Sequence, residues 1–214
     1  MAITFYHSPN STSECTNAVF AELEYSHGAP LCERVNLSLE KGDTRTPSYL
    51  KNVNPSGHVP AIVHDGVPIW ESSAIAMYLG ETFGEKYQLY PALGPRRGEA
   101  MKWIIWANIT IAEAGTRFMD STGMGSPLPG REGGKGPADV ERAKNDLKKW
   151  IEILDGALEG KEFLLGEEYS LADTHVWTFM RWMTFMKVDM SEVGNVRGWM
   201  GRVGERPALK KLLQ

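Results

Sequence analysis

The chain has 214 residues, 42% of them hydrophobic and 23% charged, with a formal net charge of −4. Such a balance is that of an ordinary soluble globule, long enough for one large or two small cores, and it excludes a surface built on excess positive charge for nucleic acid or anionic membrane. Only two cysteines, Cys15 and Cys32, with no CxxC and no zinc spacing, exclude a disulfide framework.

From Met1 the chain runs directly into strand-forming residues, with no charged leader and no apolar run of membrane-spanning length, so the expected compartment is the cytoplasm. Ile3 to His7 (ITFYH) is rich in branched and aromatic residues and predicts a strand. Ser8-Pro9-Asn10-Ser11-Thr12-Ser13 is a loop dense in hydroxyls, running into a helix expected from about Ser13 to Tyr25, with Gly28 beyond its end. Leu31 to Leu37 alternates like a second strand, and strand, helix, strand is a right-handed parallel unit by default. Lys41 to Pro47 reads as a polar loop and Ser48 to Val53 as at most a short helix.

The stretch Asn54 to Met77 carries the strongest local signals. Asn54-Pro55-Ser56-Gly57 is turn chemistry with Gly57 free to take positive φ; Ala61–His64 and Val67–Trp70 read as strands joined at Asp65-Gly66. Pro68 has no N–H to donate and so belongs on an edge. Ser72 or Ser73 is expected to cap the helix that follows. A cis bond at Val59-Pro60 would leave the Val59 backbone available, and Glu71-Ser72 places a carboxylate, a hydroxyl and open helix N–H groups at one corner. An ammonium suits Glu71 and a carboxylate suits the helix start, so both ends of an amino acid fit there. The same residues can also be read as nothing more than a hairpin, a turn proline and a helix start.

Phe83 to Leu93 lacks periodicity and reads as a linker. Beyond it everything is helical. A long helix is expected from Arg96 to about Ser121, with Met101, Ile104, Ile105, Ile109 and Ala112 as its apolar stripe. Six glycines and three prolines make Thr122 to Pro137 a loop. Ala138 to Leu158 is a second long helix. Ser170-Leu171-Ala172-Asp173 is a capping box opening a helix, Ala172 to Met186, that is apolar nearly all round and therefore central. Shorter helices are expected at Val193 to Val203 and Pro207 to Leu213.

NPSGHVPAI followed by ESSAIAMYLGE resembles the glutathione-binding half of a cytosolic glutathione transferase, and the Ser170–Asp173 box sits where that family has one in its helical half. The resemblance implies an α/β thioredoxin-like domain over residues 1–82, a linker over 83–93 and an all-helical domain over 94–214. It further implies that Val59, before a cis Pro60, pairs by its backbone with the cysteinyl part of glutathione. Glu71 and Ser72 would hold the γ-glutamyl end, and His58 would touch the glycyl carboxylate.

Glutathione must be a thiolate to react, and a hydroxyl at a helix N-terminus can stabilise that anion by hydrogen bonding while the dipole adds to it. Ser11, Thr12 and Ser13 all sit at the start of the first helix, with plain capping as the ordinary explanation. Counting back from Ala18-Val19, Ser13 falls where serine-type members of that family keep their activating serine, so the resemblance implies it as the donor, with Ser11 and Thr12 as alternatives. Tyr6 sits too early for the role. Trp106, Thr110, Glu113 and Arg117 recur at helical spacing; they could line an electrophile pocket, or be core plus an i, i+4 ion pair.

The resulting expectation is a serine-type enzyme, theta-, phi- or beta-like with no class assigned and without the zeta-type serine-cysteine signature. It would conjugate glutathione to a hydrophobic electrophile as a homodimer. No metal or separate cofactor is implied, because glutathione is a cosubstrate. Glutathione-dependent dehalogenation or ether cleavage, and a non-catalytic binding module of the same fold, are the alternatives.

Overall fold

The computed structural model describes residues 2–123 and 136–213. The first strand, β1 (Ile3–His7), lies in the middle of a four-stranded sheet ordered β2-β1-β3-β4, where β2 is Cys32–Asn36, β3 Ala61–His64 and β4 Val67–Trp70. β1 pairs parallel with β2 and antiparallel with β3, and β3 and β4 form the hairpin. Pro68 accordingly lies on an edge strand, where its missing N–H costs no ladder bond.

Alternation along β1 divides the sheet's faces. Ile3 and Phe5 are buried with Phe20 and Leu23 of α1 (Ser13–His27) and Ile75 and Leu79 of α3 (Ser72–Leu79), while Tyr6 packs with Tyr49 of the short α2 (Pro47–Asn52) on the other face. Gly28 ends α1 in the left-handed conformation that its lack of a Cβ permits. The order βαβαββα is therefore that of a thioredoxin-like unit.

Two expectations need correction here. First, no serine caps α3. Helix geometry begins at Ser72 itself, and Glu71 occupies the capping position at φ 72 and ψ 117 without a side-chain cap bond. Second, the long helix is not regular. It runs as α4 (Pro95–Trp106), a π turn (Ala107–Ile111) and α5 (Ala112–Thr122). Its buried stripe is Ala100, Trp103, Ile104, Ala107, Ile111 and Ala114, whereas Ile105 and Ile109 of the expected stripe are 37% and 62% exposed. An apolar residue on every turn suits two neighbouring faces equally, and the π turn shifts the register between them. Beyond α3 the chain winds on through a π turn at Gly80–Gly84 and a 3-10 turn at Glu85–Tyr87.

The loop expected over residues 122–137 falls largely outside the described residues. It is followed by α6 (Pro137–Ala157), α7 (Leu171–Phe185), α8 (Gly194–Gly204) and α9 (Pro207–Lys210). α7 is the central helix, with Leu171, Ala172, Val176, Met180 and Met183 fully buried, though Phe185 at its end is exposed. α1 packs directly on α7, so one hydrophobic core runs from the sheet into the helical half. No described helix is long and apolar enough to cross a membrane.

Candidate functional site

Three segments meet at the N-terminal ends of α1 and α3. The first is the turn before β3. The Asn54 side chain accepts from the Ser56 N–H at 2.9 Å and donates to the His58 carbonyl at 2.9 Å, and the Tyr49 hydroxyl donates to that same carbonyl at 2.8 Å. Burial pushes the Tyr49 phenol up to about 12, so it stays a donor. Gly57 is required twice over: its φ is +66°, and a Cβ there would come within 2.6 Å of the Arg45 guanidinium, which donates to Ser56 O. The His58 side chain is left exposed, while Val59 and Pro60, joined by a cis bond, are buried.

The second segment is the hydroxyl loop. Ser13, the expected activating residue, is fully buried, and its Oγ accepts from the Ser8 N–H at 3.0 Å and donates to the Ser8 carbonyl at 2.9 Å. Ser11 Oγ lies 2.7 Å from Ser13 Oγ and 2.7 Å from Ser8 O. Ser13 thus closes the loop on itself, with its hydroxyl turned inward. Thr12 is the exposed hydroxyl of the three, and its Oγ1 donates to the Val59 carbonyl at 3.1 Å. His7 Nε2 lies 3.3 Å from Glu14 and ties the two ends of the loop; hydrogen bonding to His7 holds the Glu14 carboxyl below its usual range. Tyr6 packs edge-on to Tyr49, away from the loop's hydroxyls, with ring centroids 5.7 Å apart.

The third segment is the start of α3. Glu71 is exposed and Ser72 is buried at 5% exposure. With no side chain capping the helix, the N–H groups of its first turn are open to an anion. Ser72 Oγ accepts from Asn108 Nδ2 at 2.7 Å, and Asn108 Oδ1 lies 2.5 Å from Nε2 of the fully buried His175. Cys15 sits between the second and third segments: its thiol donates to Thr12 O at 2.7 Å and has the Ser72 hydroxyl beside it, and burial pushes it up to about 11.

Asn108 and His175 were not legible as site residues. They are 67 positions apart, and no sequence spacing joins them. Asn108 lies within the π turn, an irregularity that periodicity does not announce.

Among the expected pocket residues, Trp106 is half-buried and packs edge-on to Trp103 with centroids 5.2 Å apart; Thr110 is half-buried as well. Glu113 and Arg117 are exposed and pair with each other at 2.5 Å, and Arg117 also reaches toward Asp146 of α6 at 3.9 Å. Their charged ends are therefore engaged along the α5–α6 surface. Among the described residues no group of three or more His, Cys, Asp or Glu side chains could hold a metal ion. A groove of about 960 Å³ along Glu85 to Arg96 and Arg206 includes none of the three segments.

Comparison with known proteins matches this layout half by half. The "Glutathione S-transferase, N-terminal domain" family matches residues 1–81, and the "Glutathione S-transferase, C-terminal domain" family matches residues 108–207. The chain belongs to the glutathione S-transferase family. Among curated members it is 26% identical to glutathione S-transferase GstB of Escherichia coli, covering 99% of this chain and 97% of that one. It is 27% identical to the disulfide-bond oxidoreductase YfcG of Escherichia coli, covering 90% and 85%. Among solved structures, a glutathione transferase from Phanerochaete chrysosporium in complex with oxidized glutathione superimposes with a TM-score of 0.84 at 21% identity, covering 99% of this chain and 94% of that one. The glutathione transferase fold, with a thioredoxin-like first half and a helical second half, is thereby established for this chain.

Proposed function

We propose that this glutathione transferase adds the thiolate of bound glutathione to a hydrophobic electrophile, with the Thr12 hydroxyl as the group that stabilises the sulfur anion. The observation that carries this reading is the 3.1 Å bond from Thr12 Oγ1 to the carbonyl of Val59. On the family pattern, the cysteinyl part of glutathione pairs with the backbone of Val59, so a hydroxyl already touching that residue lies beside the sulfur. A thiolate carries a full charge and is a stronger acceptor than the carbonyl Thr12 now uses. The role thereby moves from Ser13, whose hydroxyl is committed inside the loop, to its exposed neighbour.

In the same reading Glu71 faces the γ-glutamyl ammonium and Ser72 with the α3 N–H groups faces the γ-glutamyl carboxylate. His58, exposed beside Val59, faces the glycyl carboxylate. Trp106 and Thr110 contribute apolar wall to the electrophile side, whereas Glu113 and Arg117 stay in their surface ion pair. The working form is a cytoplasmic homodimer. Its support is exposed apolar surface: Val67 and Trp70 on the edge strand, at 60% and 38%, and Ile105 and Ile109 on the long helix, at 37% and 62%.

A second reading draws on the relatives named disulfide-bond oxidoreductases: the same thiolate would reduce a small disulfide, with two glutathiones becoming one oxidised glutathione. The experiment that decides is a panel assayed with glutathione, containing aryl and alkyl halides, epoxides, enones, aryl ethers and 2-hydroxyethyl disulfide. Turnover of aryl halides or enones supports conjugation. Turnover of the disulfide alone favours the second reading, turnover of the alkyl halides alone or of the aryl ethers alone the narrower alternatives, and retention on glutathione resin without any turnover a binding module.

A further inference from the structure

Ser72, Asn108 and His175 form a chain of hydrogen bonds that no motif in the sequence announces. It runs from the start of α3, through the π turn of the long helix, to the second turn of the central helix α7. Its inner end is out of contact with solvent, since His175 is 0% exposed and Ser72 only 5%.

The chain has a direction. Burial holds the His175 imidazole down to about 3, so the ring is neutral at working pH and carries one N–H. Its Nδ1 has no hydrogen-bond partner among the described residues, and its Nε2 lies 2.5 Å from Asn108 Oδ1. A buried donor without a partner is rarer and costlier than a buried acceptor without one, so the proton belongs on Nε2 and is donated to Asn108 Oδ1. The Asn108 amide then presents its N–H to Ser72, and Ser72 Oγ accepts at 2.7 Å. A hydroxyl whose lone pair is held this way directs its own hydrogen elsewhere. Its remaining neighbour is the Cys15 thiol, a weak acceptor that a carboxylate displaces readily. Were the amide reversed, Ser72 would donate inward to Asn108 Oδ1 and present only lone pairs to an anion.

We propose that Asn108 and His175 are positioning residues that fix Ser72 as a hydrogen-bond donor to the γ-glutamyl carboxylate of glutathione. The relay polarises the anion-binding corner from inside the helical half. It rests on the reading that Ser72 contacts this carboxylate.

The test is a double-mutant cycle on the folded protein, read as glutathione affinity by calorimetry and as KM for each substrate. Asn108→Asp keeps contact with both neighbours but offers only acceptors, so Ser72 turns its hydrogen inward. Asn108→Asp and Ser72→Ala should each weaken glutathione binding about tenfold or more, the scale of one hydrogen bond to a charged group, with the electrophile's KM unmoved. The double variant should be no weaker than Asn108→Asp alone. Additive losses would mean that the new carboxylate acts by simple repulsion and would overturn the relay.

His175→Leu gives an independent arm if Asn108→Asp fails to fold. It removes the anchor of the amide and should weaken glutathione several-fold, whereas His175→Gln, which restores a donor, should recover most of the loss. Unchanged affinity in His175→Leu would overturn the proposal. If Ser72→Ala itself binds glutathione like the parent, the binding reading fails and the relay built on it is overturned with it.

Discussion

Arg206, just before α9, grips the carboxylate of Glu22 in the middle of α1 with two hydrogen bonds, Nε to Oε1 at 2.8 Å and Nη2 to Oε2 at 2.7 Å. Its guanidinium lies 3.4 Å from the centroid of the Tyr169 ring. Glu22 is fully buried, while the Arg206 side chain keeps 28% exposure. The clasp joins the thioredoxin-like half to the end of the helical half, near the chain's C-terminus.

Cutting the clasp from its outer side leaves a carboxylate buried without its counter-charge. Arg206→Met should therefore destabilise by about 3–5 kcal/mol. Glu22→Gln removes the charge as well and should cost less than that. Urea midpoints of the two variants check the order, and an Arg206→Met protein as stable as the parent would contradict it.

Asp173 holds four donors at once: the N–H groups of Leu164 at 2.8 Å and Ser170 at 2.9 Å, the Ser170 hydroxyl at 3.1 Å and Trp199 Nε1 at 2.9 Å. The capping box is thus the visible corner of a larger hub. Asp173→Ala strands several buried donors, each worth roughly 1–3 kcal/mol when unpaired, and should cost on the order of 3–5 kcal/mol. Ser170→Ala keeps the backbone bond and should cost only about 1 kcal/mol. Turnover of whatever Ser170→Ala protein is folded should equal the parent's, since this hub carries no site residue.

His175 gives the stability a pH dependence with a definite sign. Burial lowers its folded value to about 3 from 6.5, so below pH 6.5 the unfolded chain binds a proton that the folded one refuses. Stability from this residue is full above that range and declines as pH falls through the window toward 3. The parent's Tm should drop more steeply between pH 7 and 4.5 than that of His175→Leu. Parallel curves for the two proteins would show that His175 is not the group responsible.

The proposed homodimer predicts that Trp70→Glu or Ile109→Glu lowers the mass seen by light scattering to that of one chain at micromolar concentration, leaving the far-ultraviolet circular dichroism intact. A parent protein that is itself monomeric across that range would contradict the dimer.

What could be foreseen from the residues followed from local rules. Asp65-Gly66 between two apolar runs dictates the β3–β4 hairpin, and Pro68 places it at an edge. Gly57, the cis Val59-Pro60 bond and the Ser170–Asp173 box are equally local, and each stands where the sequence implies it. What the residues alone left open are matters of direction. Ser11, Thr12 and Ser13 are chemically alike, and only the way the loop closes on Ser8 decides that Ser13 turns inward and Thr12 outward. Glu71 rather than a serine takes the capping position of α3 because the backbone enters the helix through a positive φ, which a sequence rule for caps does not anticipate. Asn108 faces Ser72 from within a π turn, out of step with the period by which the long helix would be read.

On the proposed reading, the Thr12 hydroxyl stabilises the glutathione thiolate. The most direct measurement is the pH dependence of kcat/KM for an aryl halide, varied at saturating glutathione, in Thr12→Val, Ser11→Ala and Ser13→Ala, because that profile follows the thiol of bound glutathione. Losing one hydrogen bond to an anion is worth roughly 1.5–3 kcal/mol, and about 1.4 kcal/mol corresponds to one pKa unit. Thr12→Val should therefore move the thiol's limb of the profile up by about one unit or more, while Ser13→Ala lowers stability and leaves the limb in place. A limb that stays put in Thr12→Val and moves in Ser13→Ala or Ser11→Ala would contradict the claim and return the role to that serine.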